Sequence, residues 1–167
     1  MISKYFKDIL DKMLGNYSIQ GVYDYVDPTL PHGIYIYDQH SDKWIKISIN
    51  GFFKPALDGI YVIYFDNAKC GACRVYDLFW FPFVKLIGNY RNVYYVITLC
   101  EWFARNCGEE SAIETFKYYD VHASPTTMLL LVRNGNIFSK EKIEGIKRMH
   151  ELSEIIENFA KKHSVEI

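Results

Sequence analysis

Two apolar runs on either side of a helical segment constrain the fold of this chain most strongly. Residues 60–65 and 93–99 are rich in β-branched and aromatic residues and do not alternate with polar ones, a pattern typical of strands buried on both faces of a sheet. The segment between them predicts a helix that ends at about Ile87 and kinks at Pro82. Two such strands joined by a helix are expected to be parallel, with a right-handed crossover. The sequence therefore predicts a βαβ unit.

Other periodic segments surround this unit. Alternation predicts hairpin strands at residues 33–38 with 43–49 and at 126–132 with 137–140, and helical spacing predicts helices at 2–14, 101–119 and after Gly145. An extended piece at 22–26 and a short helix or turn at 51–59 are also expected. The predicted fold class is α/β, with a mixed central sheet flanked by helices. We divide the chain into an amino-terminal extension, residues 1–42, with a helix, a connector and the first hairpin strand, and a main domain, residues 43–167.

The charge balance and hydropathy of the chain exclude several classes of protein. Nineteen Lys and Arg residues against 20 Asp and Glu residues give a formal net charge of -1 over 167 residues, which argues against a nucleic-acid-binding surface. The longest apolar runs are far shorter than the ~20 residues that cross a bilayer, so no membrane span is expected. The first residues carry charges and lack the apolar stretch of a secretory signal, which predicts a cytoplasmic protein.

A pair of cysteines follows the first buried run, at the point where the helix is predicted to begin. Residues 70–73 read Cys-Gly-Ala-Cys. At a helix amino terminus, unpaired N–H groups and the helix dipole stabilise a thiolate, and the flanking Lys69 and Arg74 add positive charge. Cys73 lies one turn further along the same face, where it can attack a mixed disulfide formed by Cys70. This arrangement indicates dithiol–disulfide exchange.

In this context the sequence resembles the thioredoxin family of thiol–disulfide oxidoreductases, over residues 43–162. Three motifs carry the resemblance and occur in the family's order. The first is a buried strand followed by the cysteine pair and a basic residue. The second is Ala-Ser-Pro-Thr at residues 123–126, directly before a predicted strand, which is similar to the family's cis-proline segment. The third is an Asn-Gly hairpin with Gly145 ahead of the last helix.

The resemblance implies a thioredoxin-like fold and assigns roles to the site residues. Cys70 would be the nucleophile and Cys73 the resolving thiol. The substrate platform would comprise Ser124, Pro125 and Thr126 together with Gly71 and Ala72. By the same resemblance the cysteine pair carries the electrons, with no organic cofactor and no metal. The expected partners are protein thiol or disulfide substrates and a thiol–disulfide exchange partner.

Three residues depart from the family pattern. Tyr64 stands six positions before Cys70, where thioredoxins bury an acidic residue that takes part in moving the proton of the resolving cysteine. A phenol is a poor base at neutral pH, so water or another group such as Glu101 is expected to serve instead, or the step is slower. Lys69 replaces an aromatic residue and Ala72 replaces a proline, so the redox potential does not follow from the resemblance.

The remaining cysteines leave alternatives open. Cys100 and Cys107 are either two small buried side chains or a structural disulfide. They could also join Cys70 and Cys73 in a zinc site, which needs four ligands in tetrahedral reach. Tyr64 favours a further alternative, a thioredoxin-fold binding module with little redox activity. The apolar stripe of the amino-terminal helix predicts either a packing surface or a homodimer contact.

Overall fold

The predicted βαβ unit forms the centre of a seven-stranded mixed sheet. A computed structural model describes residues 2–167; in chain order its elements are α1 (Lys4–Leu14), β1 (Ser18–Tyr23), β2 (Gly33–Asp38), β3 (Lys43–Ser48), β4 (Gly59–Asn67), α2 (Gly71–Leu86), β5 (Val93–Cys100), α3 (Glu110–Tyr118), β6 (Thr126–Arg133), β7 (Asn136–Glu144) and α4 (Met149–Lys162). The strands lie in the order β1-β3-β2-β5-β4-β6-β7. β4 and β5 pair in parallel, and the other neighbouring strands pair antiparallel. The predicted α/β class, with a mixed sheet flanked by helices, is confirmed.

Both faces of the sheet are covered, which explains why the central strands do not alternate. All nine residues of β4 are buried. α2 and α4 cover one face, where Tyr64, Trp80 and Phe159 belong to one apolar cluster, and α1 and α3 cover the other, where Phe65 and Phe116 belong to a second. The apolar stripe of α1 is part of the second cluster, so a homodimer contact through this helix would have to use its other face. No helix among residues 2–167 combines the length and the apolar character needed to cross a membrane.

The amino-terminal extension contributes strands to the same sheet. β2 pairs with β5, with Gly33 opposite Leu99, and β3 and β1 continue the sheet beyond β2. The proposed boundary between residues 42 and 43 falls at the end of the turn that joins β2 to β3. β1 begins before the extended piece expected at residues 22–26, and β7 is longer than predicted at both ends. Residues 51–58 form bends rather than a helix.

The helix predicted at residues 101–119 is wrong in its first half, because α3 covers only the second half. The preceding residues form a loop closed by backbone hydrogen bonds between Trp102 and Asn106. Cys107, which lies inside the predicted helix, is instead in a loop and joined to Cys100 by a disulfide, with the two Cα atoms 4.7 Å apart. Residues seven positions apart on a helix are separated by about 10.5 Å along its axis. The disulfide therefore excludes a helix through this segment.

Candidate active site

The predicted cysteine pair lies at the junction between β4 and α2. Cys70 is the N-cap of α2, and its sulfur accepts a hydrogen bond from the Cys73 N–H at 3.0 Å. The Cys70 N–H donates to the Asn67 carbonyl, which fixes the turn out of β4. Neither cysteine is in a disulfide; Cys70 is 6% exposed and Cys73 is fully buried, whereas Gly71 and Ala72 between them are exposed. One thiol thus lies just below the surface and the other is enclosed.

The turn before β6 meets the enclosed thiol. Ser124 Oγ lies 2.9 Å from Cys73 Sγ and accepts a hydrogen bond from Asn67 Nδ2, also at 2.9 Å. The Ser124–Pro125 peptide bond is cis. Within residues 2–167 the backbone N–H and C=O of Ser124 have no hydrogen-bond partner. Thr126 is buried and its hydroxyl donates to a carbonyl inside the turn, so this side chain does not point toward the thiols.

A buried carboxyl group that the sequence analysis missed, Asp66, lies beside the Cys73 thiol. Asp66 is fully buried at the end of β4; Arg74 Nη2 lies 2.5 Å from its Oδ1, and its Oδ2 has no hydrogen-bond partner within residues 2–167. Burial, followed by the charge of Asp77, raises the pKa of Asp66 to about 7, although Arg74 and the thiol lower it. Burial, followed by the charge of Asp66, raises the pKa of Cys73 well above its usual range. Asp66 is therefore suited to take up the proton that Cys73 loses when it reacts.

Tyr64, which replaces the expected acid, serves as a hydrogen-bond donor. Its hydroxyl donates to the Cys73 carbonyl at 3.0 Å and to Asp77 Oδ1 at 2.8 Å. Burial and the two nearby aspartates raise the pKa of Tyr64 far above its usual range, so the phenol keeps its proton. Tyr64 and Asp66 are two residues apart on β4 and point to the same face. A buried acid is thus present two positions after Tyr64. The sequence signal that points to it is an aspartate directly after the apolar run 60–65.

The two cations predicted to add positive charge to the cysteine pair are engaged by acidic side chains. Arg74 Nε donates to Asp77 Oδ2 at 2.9 Å, and its Nη2 pairs with Asp66. Lys69 is exposed, with its Nζ 3.8 Å from Glu101 Oε2. Glu101, the alternative proton acceptor, accepts a hydrogen bond from a loop amide and has no hydrogen bond to Cys73 within residues 2–167.

The loop between Cys100 and Cys107, called the disulfide loop below, is hydrogen-bonded to the turn that carries the cysteine pair. The Ala68 N–H donates to the Cys100 carbonyl at 2.8 Å, and the Phe103 N–H donates to Asn67 Oδ1 at 2.6 Å. Because the Asn67 amide also donates to Ser124, this one side chain connects the loop to the turn before β6. The sequence analysis did not single out Asn67, because both of its partners are distant along the chain.

The disulfide also bears on the zinc alternative. The sulfurs of Cys100 and Cys107 are bonded to each other, so they are not available as thiolate ligands alongside Cys70 and Cys73. Residues 2–167 contain no group of three or more His, Cys, Asp or Glu side chains placed to hold a metal ion. A zinc site built from the four cysteines is therefore incompatible with this arrangement.

Comparison with solved structures identifies the architecture. The crystal structure of a thioredoxin from Aeropyrum pernix matches with a TM-score of 0.52 and 17% sequence identity, over 79% of this chain and 98% of that one. A chloroplastic thioredoxin z matches with a TM-score of 0.41 and 15% identity, over 60% of this chain and 78% of that one. No protein-family model and no curated protein matches the sequence. The match to the Aeropyrum pernix structure shows that this chain has the thioredoxin-like fold.

Proposed function

We propose that this chain is a protein thiol–disulfide oxidoreductase in which Cys70 is the nucleophile and Cys73 the resolving thiol. One observation carries the proposal: a slightly exposed thiol caps a helix, three residues before an enclosed thiol that has a buried carboxyl group beside it. The Cys73 N–H and the dipole of α2 stabilise negative charge on Cys70 Sγ. Asp66, with its pKa raised to about 7, is partly ionised at neutral pH and can take a proton from Cys73.

The exchange runs in two balanced steps. The Cys70 thiolate attacks one sulfur of a target disulfide, forming a mixed disulfide and releasing the other target sulfur as a thiolate. Cys73 then transfers its proton to Asp66 and attacks Cys70 Sγ, which breaks the mixed disulfide and releases the second target thiolate. The target gains two electrons and the protein is left with a Cys70–Cys73 disulfide. The reverse sequence oxidises a target dithiol.

The turn before β6 is suited to hold the target chain. The unpaired N–H and C=O of Ser124 can bond an extended peptide as a short added strand. Pro125 has no N–H that would compete for the same carbonyl groups. Gly71 and Ala72 are exposed and small, so a peptide backbone can pass close to Cys70 without meeting a long side chain.

The proposal includes the source of the electrons and the place of action. The two cysteines carry the electrons, so no organic cofactor and no metal is needed. A protein dithiol or a small thiol restores the pair after each turnover, and the targets are protein thiols or disulfides rather than nucleic acids or membranes. We place the reaction in the cytoplasm.

The test is the equilibrium reduction potential of the cysteine pair. The protein is equilibrated in defined thiol–disulfide buffers, alkylated and measured by intact mass, and peptide mapping separates the Cys70–Cys73 bond from Cys100–Cys107. We expect reversible loss of two hydrogens at Cys70 and Cys73, with a midpoint inside the range of about -270 to -120 mV found for such dithiols. The variants Cys70→Ser and Cys73→Ser should each abolish this transition and leave the Cys100–Cys107 transition in place. A protein that never forms the Cys70–Cys73 bond would refute the proposal and favour the binding-module alternative.

A further inference from the structure

A groove lies between the disulfide loop, the carboxyl end of α3 and the segment 120–122 that leads into the turn before β6. Its volume is about 600 Å³. Phe103, Phe116 and Val121 form an apolar lining, and Trp102 contributes an indole ring that is 41% exposed. The Trp102 and Phe103 rings pack edge to face, with centroids 5.1 Å apart. The shape and lining suit a large flat side chain, because aromatic rings pack edge to face on one another.

The groove is connected to the thiol of Cys73 through two residues, Asn67 and Ser124. Phe103, in the groove lining, donates its N–H to Asn67 Oδ1. The amide of Asn67 donates to Ser124 Oγ, which contacts Cys73 Sγ. His122, also in the lining, lies two residues before Ser124 on the turn that is proposed to hold the target. A peptide that pairs with this turn can therefore extend toward the groove.

The charges around the groove favour an anionic occupant. Arg105 and Lys117 line it, are exposed, and form no salt bridge with any residue in 2–167. A carboxylate, Asp120, also lines the groove, with His122 Nε2 2.5 Å from its Oδ1, so two cationic side chains face one anionic side chain and the lining keeps an excess of positive charge. Two cations thus stand without partners beside an apolar lining.

We propose that this groove selects the protein substrate: it binds a large aromatic side chain of the target, with Arg105 and Lys117 contacting a carboxylate next to that side chain. This inference rests on the proposed oxidoreductase function and adds the class of target. The favoured targets are disulfides whose cysteine lies within a few residues of an aromatic–acidic pair. Targets with a basic residue at the same position are disfavoured by like charge.

The test uses peptides with one cysteine in a mixed disulfide with 2-thiopyridine, a neutral leaving group whose release is followed by absorbance. Reduced protein plus this mixed disulfide gives the Cys70–Cys73 disulfide, the peptide thiol and pyridine-2-thione, so the electrons balance. Phe-Glu, Ala-Gln and Phe-Lys pairs are placed one to four residues on either side of the cysteine. Each single-turnover rate is divided by the rate with 2,2′-dithiodipyridine, a small neutral disulfide that contains no peptide.

We expect the best-placed Phe-Glu peptide to react about tenfold faster than the Ala-Gln peptide at low salt, relative to the small disulfide. In the double variant Arg105→Glu/Lys117→Glu the Phe-Lys peptide should react faster than the Phe-Glu peptide, the reverse of the order of rates in the wild type. The matched variant Lys7→Glu/Lys12→Glu, with the same charge change on α1, should keep the original order. Equal relative rates for all peptides, with the small disulfide still reduced, would overturn the groove proposal alone. Failure to reduce even the small disulfide would overturn the oxidoreductase function, and the groove proposal with it.

Discussion

Replacing the buried Asp66 with Asn should stabilise the protein at alkaline pH. The pKa of this carboxyl is raised from 3.8 to about 7 in the folded protein, chiefly by burial. Each pH unit corresponds to about 1.4 kcal/mol, so ionising Asp66 costs the folded state about 4 kcal/mol. Below pH 4 the group is largely protonated in both states and the cost vanishes. Between pH 4 and 7 the unfolded chain releases the proton while the folded protein keeps it, so wild-type stability falls as pH rises.

Urea unfolding at pH 4 and pH 8.5, in the same thiol buffer, measures this effect. The free energy of unfolding of Asp66→Asn should exceed that of the wild type by about 4 kcal/mol at pH 8.5 and by less than about 1 kcal/mol at pH 4. Asp8→Asn, which removes an exposed carboxyl group of α1, is the control and should follow the wild type at both pH values. The reasoning would be refuted if the free energies of unfolding of the wild type and Asp66→Asn changed equally between the two pH values, or if Asp66→Asn were less stable than the wild type at pH 8.5.

The same variant should be slower in exchange, although it is more stable. Asn cannot take the proton of Cys73, so the breakdown of a mixed disulfide on Cys70 should slow by on the order of 100-fold at pH 7. Formation of the mixed disulfide should change much less, because that step does not require Cys73 to lose its thiol proton. Stopped-flow measurement of the two phases separates them, and equal slowing of both would argue against Asp66 as proton acceptor.

Three further variants test the supporting contacts. The double variant Cys100→Ser/Cys107→Ser opens a short covalent loop and should lower the free energy of unfolding by about 2.4 kcal/mol, read from urea midpoints. Tyr64→Phe removes a donor from the partly buried carboxylate of Asp77 and from a backbone carbonyl, and should lower the free energy of unfolding by about 1–3 kcal/mol in the same measurement. Ser124→Ala removes the contact at 2.9 Å that lowers the pKa of Cys73, and should slow the breakdown of the mixed disulfide about tenfold in stopped flow.

Each of these predictions has a contrary outcome. If the double cysteine variant has the same free energy of unfolding as the wild type, the disulfide does not stabilise the fold. The same result for Tyr64→Phe would show that the Tyr64 hydroxyl does not stabilise it. An unchanged rate of breakdown in Ser124→Ala, with the same pH profile as the wild type, would show that this hydroxyl does not act on the thiol.

Much of the fold was accessible from the sequence because the strongest signals were local. The non-alternating runs at residues 60–65 and 93–99 identified the two central strands, since strands covered on both faces have no polar side. The segment 101–109 was misassigned because its apolar residues resemble a helical pattern, while its conformation is set by the Cys100–Cys107 bond and by hydrogen bonds to Asn67. Neither constraint leaves a periodic trace in the sequence.

The site was predictable in its cysteines and in its turn, but not in its acid. The Cys-Gly-Ala-Cys spacing placed Cys70 at a helix start, where the structure has it. Asp66 does not follow from the resemblance, because it stands four positions before Cys70 and the family's acid stands six positions before the first cysteine. Its burial also depends on Arg74, eight residues later, folding back from α2 to pair with it. The contact between the Arg74 guanidinium of α2 and Asp66 of β4 is a tertiary contact, which sequence spacing alone does not reveal.

The pairing of β2 with β5 has a consequence for how the chain is made. The amino-terminal hairpin ends at Ser48, and its partner strand β5 is complete only at Cys100, 52 residues later. At a synthesis rate of about 5–20 residues per second, that delay lasts about 3–10 s. During this time Ile34, Ile36 and Ile45, which are fully buried in the finished protein, lack the β5 and α3 side chains of the same apolar cluster. The nascent hairpin therefore exposes an apolar surface that is open to aggregation until β5 and α3 have been synthesised.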